Sequence, residues 1–520
     1  MRFRGISSIG WVSIFALGFV GMQRHLMSQE MSLGKDLYIR HCAVCHGEAG
    51  QGNGPAATFL FPKPRDFTTG MYKIRTTASG QAPTDQDLLD TLSRGLPGSA
   101  MPSFSYLSDK ERKALVNHLK TFAPSQFEGT QDQRGIAVGK APLASPEVVS
   151  LGRKAYVKAG CAACHGESGK GDGPSANALR DDLDQPILAA DLTRGVFRGG
   201  ASVRDIYLRF TTGMNGTPMP SFEETLPEKE RWALAHYVKS LSRSKRPEIP
   251  SQLSNALITA YKKEGLSDDM SPRDSIWNNI PVTSIPLMPL WQRRSASRLL
   301  DVRAIHDGKR ITLLLEWEDS QADGLIIRSQ DFSDAAAIML SMTDSRGHFS
   351  MGSEKQPVNI WQWRADRQMD LARFRDAEEA YPSMAVDDYL FDRARYPKHK
   401  KTGLTSSAGT QEPIFLAGYA AGNPMSEIRR LSAVEDLNAE GFGTLTPQPP
   451  LDQNVQGHGI WTNGKWKILF VRDLSSSSDS DAALKPRSRA PVAFAVWDGS
   501  QGDRDGQKSV TYWQILELEK

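Results

Sequence analysis

Cys42-Ala43-Val44-Cys45-His46 and Cys161-Ala162-Ala163-Cys164-His165 are the residues most able to do chemistry in this chain. A thiol pair at that spacing could form a redox dithiol or half a zinc site, but a histidine directly after the second cysteine in both copies selects covalent c-type haem attachment. The thiols would bond the porphyrin vinyl groups, and His46 and His165 would supply the proximal imidazoles. These four cysteines are the only ones among 520 residues, so no disulfide framework is left over.

A sixth ligand must approach the iron from the opposite face, on a separate and rigid segment. Met101 and Met219 meet that condition, each lying just before a proline in matched Met-Pro-Ser-Phe phrases. A thioether opposite imidazole favours ferrous iron and raises the potential. Met71 and Met214 are rivals without that correspondence, and His41, His118 and His236 read as structural or solvated histidines. With both axial positions filled, no site for substrate remains, so the expected chemistry is outer-sphere electron transfer and the chain is not itself an enzyme. A dihaem peroxidase would need a vacant sixth position, against which the two matched methionine loops argue. Gly50-Gln51-Gly52-Asn53-Gly54 is glycine-rich, yet it neither follows a strand nor opens a helix, which excludes a phosphate cradle.

The elements that hold these residues are an internal repeat. Leu33-Gly34-Lys35 is echoed by Leu151-Gly152-Arg153, Gly52-Asn53-Gly54-Pro55 by Gly171-Asp172-Gly173-Pro174, and Lys110 to Leu115 by Lys229 to Leu234. Amphipathic spacing predicts helices over Asp85 to Ser93, Ser108 to Phe122, Ser202 to Thr211 and Pro227 to Leu241. Ser108 with Glu111 forms a capping-box pattern, and Pro227 suits a first helical position. Both repeats resemble the class I cytochrome c family over nearly their whole length.

The chain is long enough for about three domains. Residues 1–29 open with Met1-Arg2-Phe3-Arg4 before an apolar run from Ile6 to about Met22, the pattern of an export signal or an uncleaved membrane anchor, which implies a periplasmic protein. Residues 30–125 and 147–243 are the two mainly-α haem domains, joined by a linker at 126–146. A second linker, 244–273, carries a predicted helical stretch around Gln252 to Lys263. A net charge of +3 over 123 charged side chains gives no reason to expect a nucleic-acid partner.

Residues 274–520 differ in kind. Nine of the eleven tryptophans fall here, beside alternating stretches such as Arg310 to Trp317, Lys465 to Val471, Ala490 to Trp497 and Val510 to Ile515. These predict a mainly-β, sandwich-like domain. Leu315-Glu316-Trp317-Glu318-Asp319, Phe349-Ser350-Met351-Gly352, Pro357 to Trp361 and Trp466 to Arg472 are similar to the haem b-binding γ subunits of the dimethyl sulfoxide reductase family, which serve ethylbenzene and dimethylsulfide dehydrogenases, chlorate and selenate reductases and nitrite oxidoreductase. The resemblance implies one non-covalent haem b held by a methionine and a lysine. Met351 matches the methionine. Lys465, Lys467 and Lys485 lie before the final strands, and Lys465, in the turn Asn463-Gly464-Lys465, is the candidate lysine. A charged stretch from about Asp376 to Glu412 departs from the family pattern. Trp361 and Trp363 read as core or haem-edge residues.

Two functions follow. The first is a multihaem subunit relaying electrons between a periplasmic molybdenum oxidoreductase, with its molybdopterin catalytic and iron-sulfur subunits, and a soluble or membrane carrier. The alternative is a dihaem cytochrome donating to a terminal oxidase, with a haem-free β domain for docking.

Overall fold

The computed structural model describes residues 30–130, 133–242, 256–267, 269–293, 299–343, 348, 350–372, 380–381, 383, 432–476, 478–485 and 489–520. The export or anchor segment at 1–29, Phe349 and the charged stretch at 384–412 lie outside the described residues. Among the described residues no helix is long and apolar enough to cross a membrane. Two compact units make up the fold, one holding both helical domains and the other the sheet.

In the first helical domain, α1 (residues 30–41) leads into the Cys-x-x-Cys-His turn, Ala43–His46, followed by α2 (Asp85–Arg94) and α3 (Asp109–Lys120). Thr84 and Ser108 each close a reciprocal capping box, with Asp87 and Glu111, satisfying amide donors that a helix N-terminus otherwise leaves orphaned. Gly34 lets α1 cross α3 closely, since a Cβ there would run into the Ala114 carbonyl. The second domain repeats the plan with α4 (Pro146–Lys158), the turn Ala162–His165, α5 (Val203–Thr212) and α6 (Glu228–Leu241). Gly152 against the Ala233 carbonyl is the matching close crossing. Pro227 stands at the N-cap of α6, one position before the helical site its sequence context suggests.

The second unit is one 14-stranded mixed sheet. Its main strands are β1 (Leu257–Lys262), β2 (Leu299–His306), β3 (Arg310–Glu318), β4 (Ala335–Ser341), β5 (Val358–Arg364), β6 (Val434–Ala439), β7 (Gln456–Thr462), β8 (Lys465–Asp473), β9 (Arg489–Trp497) and β10 (Gln514–Leu518). They run β7-β8-β3-β2-β1-β10-β9-β4-β5-β6. The two halves fold against each other: Trp317, Ile468 and Trp466 from one half share a core with Trp361, Trp363 and Phe494 from the other. Trp363 meets Trp466 edge-on at 5.0 Å, and the Arg472 guanidinium lies 4.9 Å from the Trp361 ring centre. The sandwich expected from alternation is therefore present, but it is not purely antiparallel, because β1 pairs in parallel with both β10 and β2.

That strand corrects one expectation. The stretch predicted as helical around Gln252 to Lys263 is extended over Leu257–Lys262, inside what reads as linker. Ile258 and Ala260 alternate into the core, and ladder bonds on both sides satisfy the backbone better than an isolated helix of that length would.

Candidate functional site

Each haem domain brings its first motif cysteine and its candidate methionine onto one apolar cluster. Cys42 and Met101 belong to the cluster of Tyr38, Phe67, Leu92 and Phe104, and Cys161 and Met219 to the cluster of Tyr156, Phe210, Trp232 and Leu234. The short turns after Cys42 and Cys161 form because His46 N–H donates to the Cys42 carbonyl (2.8 Å) and His165 N–H to the Cys161 carbonyl (2.9 Å).

Both histidines are oriented alike. His46 Nδ1–H donates to the Arg65 carbonyl at 2.9 Å, and His165 Nδ1–H to the Ala190 carbonyl at 3.0 Å. That bond fixes the tautomer and leaves Nε2 with its lone pair for iron. Burial lowers the His46 pKa to about 4, partly offset by the Arg65 carbonyl, and lowers that of His165 as well. Both imidazoles are thus neutral, the form a metal binds. Burial also pushes the thiols up, Cys42 and Cys45 to about 12 and Cys161 to about 11. Phe67 stacks on the His46 ring at 4.3 Å. Two thiols and one oriented imidazole in a single turn, with a thioether on the apolar cluster that the first thiol joins, fit a covalent haem in each domain.

Two supports escaped sequence reasoning. Tyr38 donates to the Gly47 carbonyl and Tyr156 to the Gly166 carbonyl, both at 2.7 Å, pinning the residue after each proximal histidine. The available signal was that each tyrosine stands four residues after the glycine of the matched Leu-Gly phrases, Gly34 and Gly152. The other histidines are structural: His41 sits beside Phe104 and Tyr106, His118 packs on Tyr38 and Phe122, and His236 donates to the Pro142 carbonyl. Met214 supports Met219, its amide donating to the Met219 carbonyl at 3.0 Å, and Met71 follows the short Phe67–Thr69 turn.

In the sheet unit, Met351 packs against a second cluster that includes Met288, Val358, Leu437, Trp497 and Trp513. Its backbone has φ +78°, a left-handed conformation that a non-glycine residue adopts only when its surroundings enforce it, and the Gly441 amide donates to its carbonyl. Trp361 and Trp363 are core residues on the other cluster, with indole partners Asn359 and Gln368.

Lys465 is placed differently from Met351. Its ammonium and that of Lys467 both pair with Glu316, at 3.3 and 3.1 Å, on a strand face packed against Trp277, Ile305 and Leu314. Lys508 borders the same cluster as Met351. Its ammonium lies 4.6 Å from the Trp497 ring centre, and its carbonyl accepts from Leu290 N–H, whose side chain packs on the same cluster. Burial lowers its pKa to about 8, only partly countered by Asp505. Sequence reasoning passed over Lys508 because only lysines ahead of the final strands were considered. The signal was its position two residues before Val510, in a strand that pairs with β9.

Comparison with known proteins agrees with this layout. Residues 274–509 match the ethylbenzene dehydrogenase family, and residues 31–123 and 149–242 match cytochrome c. The chain carries two cytochrome c domains followed by an ethylbenzene dehydrogenase-family domain. It is similar to a Haloferax mediterranei protein named as a respiratory nitrate reductase haem subunit, 26% identical over 46% of this chain and 66% of that one, just under two thirds of its length. The chlorate reductase γ subunit of Ideonella dechloratans is 24% identical over 48% of this chain and 80% of its own. For the dimethylsulfide dehydrogenase γ subunit of Rhodovulum sulfidophilum the figures are 26%, 46% and 71%.

Proposed function

We propose that this chain is the haem electron-transfer subunit of a molybdenum oxidoreductase, relaying electrons between its catalytic partner and another carrier. Cys42, Cys45 and His46 with Met101, and Cys161, Cys164 and His165 with Met219, hold two covalent haems. Met351 and Lys508, in place of Lys465, hold a haem b. The observation that carries the haem b assignment is that Met351, with its constrained backbone, packs on the apolar cluster that includes Trp497, and the desolvated Lys508 ammonium lies 4.6 Å from the Trp497 ring centre.

A lysine binds a metal only through its neutral amine, and a pKa near 8 makes deprotonation inexpensive. Lys465, held by Glu316, would first have to break an ion pair. The haems supply one-electron carriage; the protein orients the proximal imidazoles, keeps them neutral and surrounds the cofactors with apolar side chains. The γ-subunit relatives support an association with a catalytic subunit, here a molybdopterin one, and an iron-sulfur subunit completes the proposed complex. Export to the periplasm, with residues 1–29 as signal or anchor, completes the reading.

Pyridine haemochrome spectra with haem quantitation test it. Two c haems and one extractable b haem are expected. Two c haems alone would sink the haem b assignment and favour the dihaem cytochrome that donates to a terminal oxidase.

A further inference from the structure

The two haem domains share a joint of buried hydrogen bonds centred on one side chain. Arg75, in the loop before α2, is fully buried. Its Nη1 donates to the Thr77 carbonyl in its own domain (3.0 Å), while Nη2 reaches into the second domain, to the Thr212 carbonyl (2.9 Å) and Asn215 Oδ1 (2.6 Å). Arg209 of α5 answers through Nη2, which donates to the Arg75 carbonyl at 2.5 Å.

The segment that Arg75 grips is the one that holds Met219. Thr212 ends α5, and Met214 N–H, one residue beyond Gly213, donates to the Met219 carbonyl at 3.0 Å. The Thr217 hydroxyl donates to the Met214 carbonyl (2.8 Å) and accepts from Met219 N–H (3.2 Å). A continuous run of bonds therefore connects the Arg75 guanidinium to the Met219 backbone.

We propose that Arg75 of the first domain is a positioning residue for Met219, so that the first haem domain governs axial ligation of the second haem. This rests on Met219 being the sixth ligand. The thioether stabilises ferrous iron, so a loop that lets sulfur drift lowers the potential of that haem alone. Removing the guanidinium leaves the Thr212 carbonyl and Asn215 Oδ1 without their buried donor, and the loop must shift to find water.

The test uses the haem-loaded full chain with Arg75→Gln and Arg75→Lys, each alone and combined with Met219→Ala or Met101→Ala. The readouts are the thioether-to-ferric-iron charge-transfer band and the two midpoint potentials from spectroelectrochemical titration. In Arg75→Gln, we expect part of the band lost and one potential lowered by about 59 mV, a tenfold change in the one-electron reduction equilibrium. Arg75→Lys should restore part of both. The effect should vanish on the Met219→Ala background and persist on Met101→Ala. Unchanged band and potentials, or an effect that survives Met219→Ala, would overturn the proposal. A full band in Met219→Ala alone would instead remove the ligand assignment. Should Arg75→Gln not accumulate, Asn215→Ala deletes one end of the same contact and should lower the same potential by a smaller amount; no change there overturns the idea equally.

Discussion

On the function proposed above, the haem domains and the sheet domain hold iron in opposite ways. In each cytochrome c domain the first motif cysteine and the candidate axial methionine, Cys42 with Met101 and Cys161 with Met219, sit on the apolar cluster that forms its core. The sheet domain has a core of its own, closed by Trp317, Trp361, Trp363 and Trp466, and its proposed haem b ligands stand on a different cluster. Where the cofactor is core, losing it should cost the fold; where it is an addition, losing it should cost only the function.

The largest expected effect follows for the first kind of site. Cys42→Ser with Cys45→Ser should abolish one of the two covalent haems and melt the first helical domain, leaving the second haem attached. Haem staining after denaturing electrophoresis, with circular dichroism for helix content, checks both halves. Retention of full helix content would break the comparison. Lys508→Ala is the counterpart in the sheet domain. It should eliminate the b-type absorbance while the cooperative unfolding of the sheet stays as it was.

How much of this was legible in the sequence follows the same division. The candidate covalent sites are readable because their chemistry is contiguous and occurs twice, and Met101 and Met219 stand out as candidates because the repeat supplies the alignment. Strand β1 was not, since Leu257 to Lys262 has no periodicity that separates a short strand from a helix, and its partner Ile515 to Leu518 lies more than 250 residues away. The surroundings of Lys508 were hidden for the same reason: the Trp497 ring 4.6 Å from its ammonium and the strand 288–289 that pairs with Ser509 and Val510 are distant in sequence or unpredicted. The Glu316 partner of Lys465, across the β8–β3 pair, was likewise out of view in the sequence.

The core itself sets the next effect. Trp361 is completely buried, and Trp361→Ala should lower sheet-domain stability by about 3–5 kcal/mol, the range for removing a large aromatic side chain. Denaturant unfolding followed by tryptophan fluorescence measures it, with the c-haem spectra as an unchanged control. An effect below about 1 kcal/mol would mean the cluster is not the stabilising core.

Acidity distinguishes the regions further. Asp319, Asp334 and Asp498 converge in the sheet domain, and burial together with mutual repulsion raises Asp319 to about 8, while burial raises Asp334 to about 7. An unfolded aspartate titrates near 3.9, so between that value and about 8 the native state binds protons that the unfolded state has released. Stability of the sheet domain therefore falls as pH rises across that window. Its melting temperature should drop from pH 5 to pH 8, and Asp319→Asn should flatten the slope. A wild-type melting temperature that rises over this interval would contradict the sign.

The smallest expected effect discriminates best between the two lysines. Lys465 is 39% exposed at its side chain and shares Glu316 with Lys467, so Glu316 keeps one ion-pair partner when Lys465 is removed. Lys465→Ala should thus change stability by no more than about 1 kcal/mol, as for other exposed ion pairs, and should leave the b-type spectrum intact. Against Lys508→Ala, which should erase that spectrum at little cost in stability, the pair of variants separates a cation balanced by a carboxylate from an amine that burial has prepared to lose its proton. Loss of haem b in Lys465→Ala, with retention in Lys508→Ala, would reverse the assignment and move the site to the β8–β3 face.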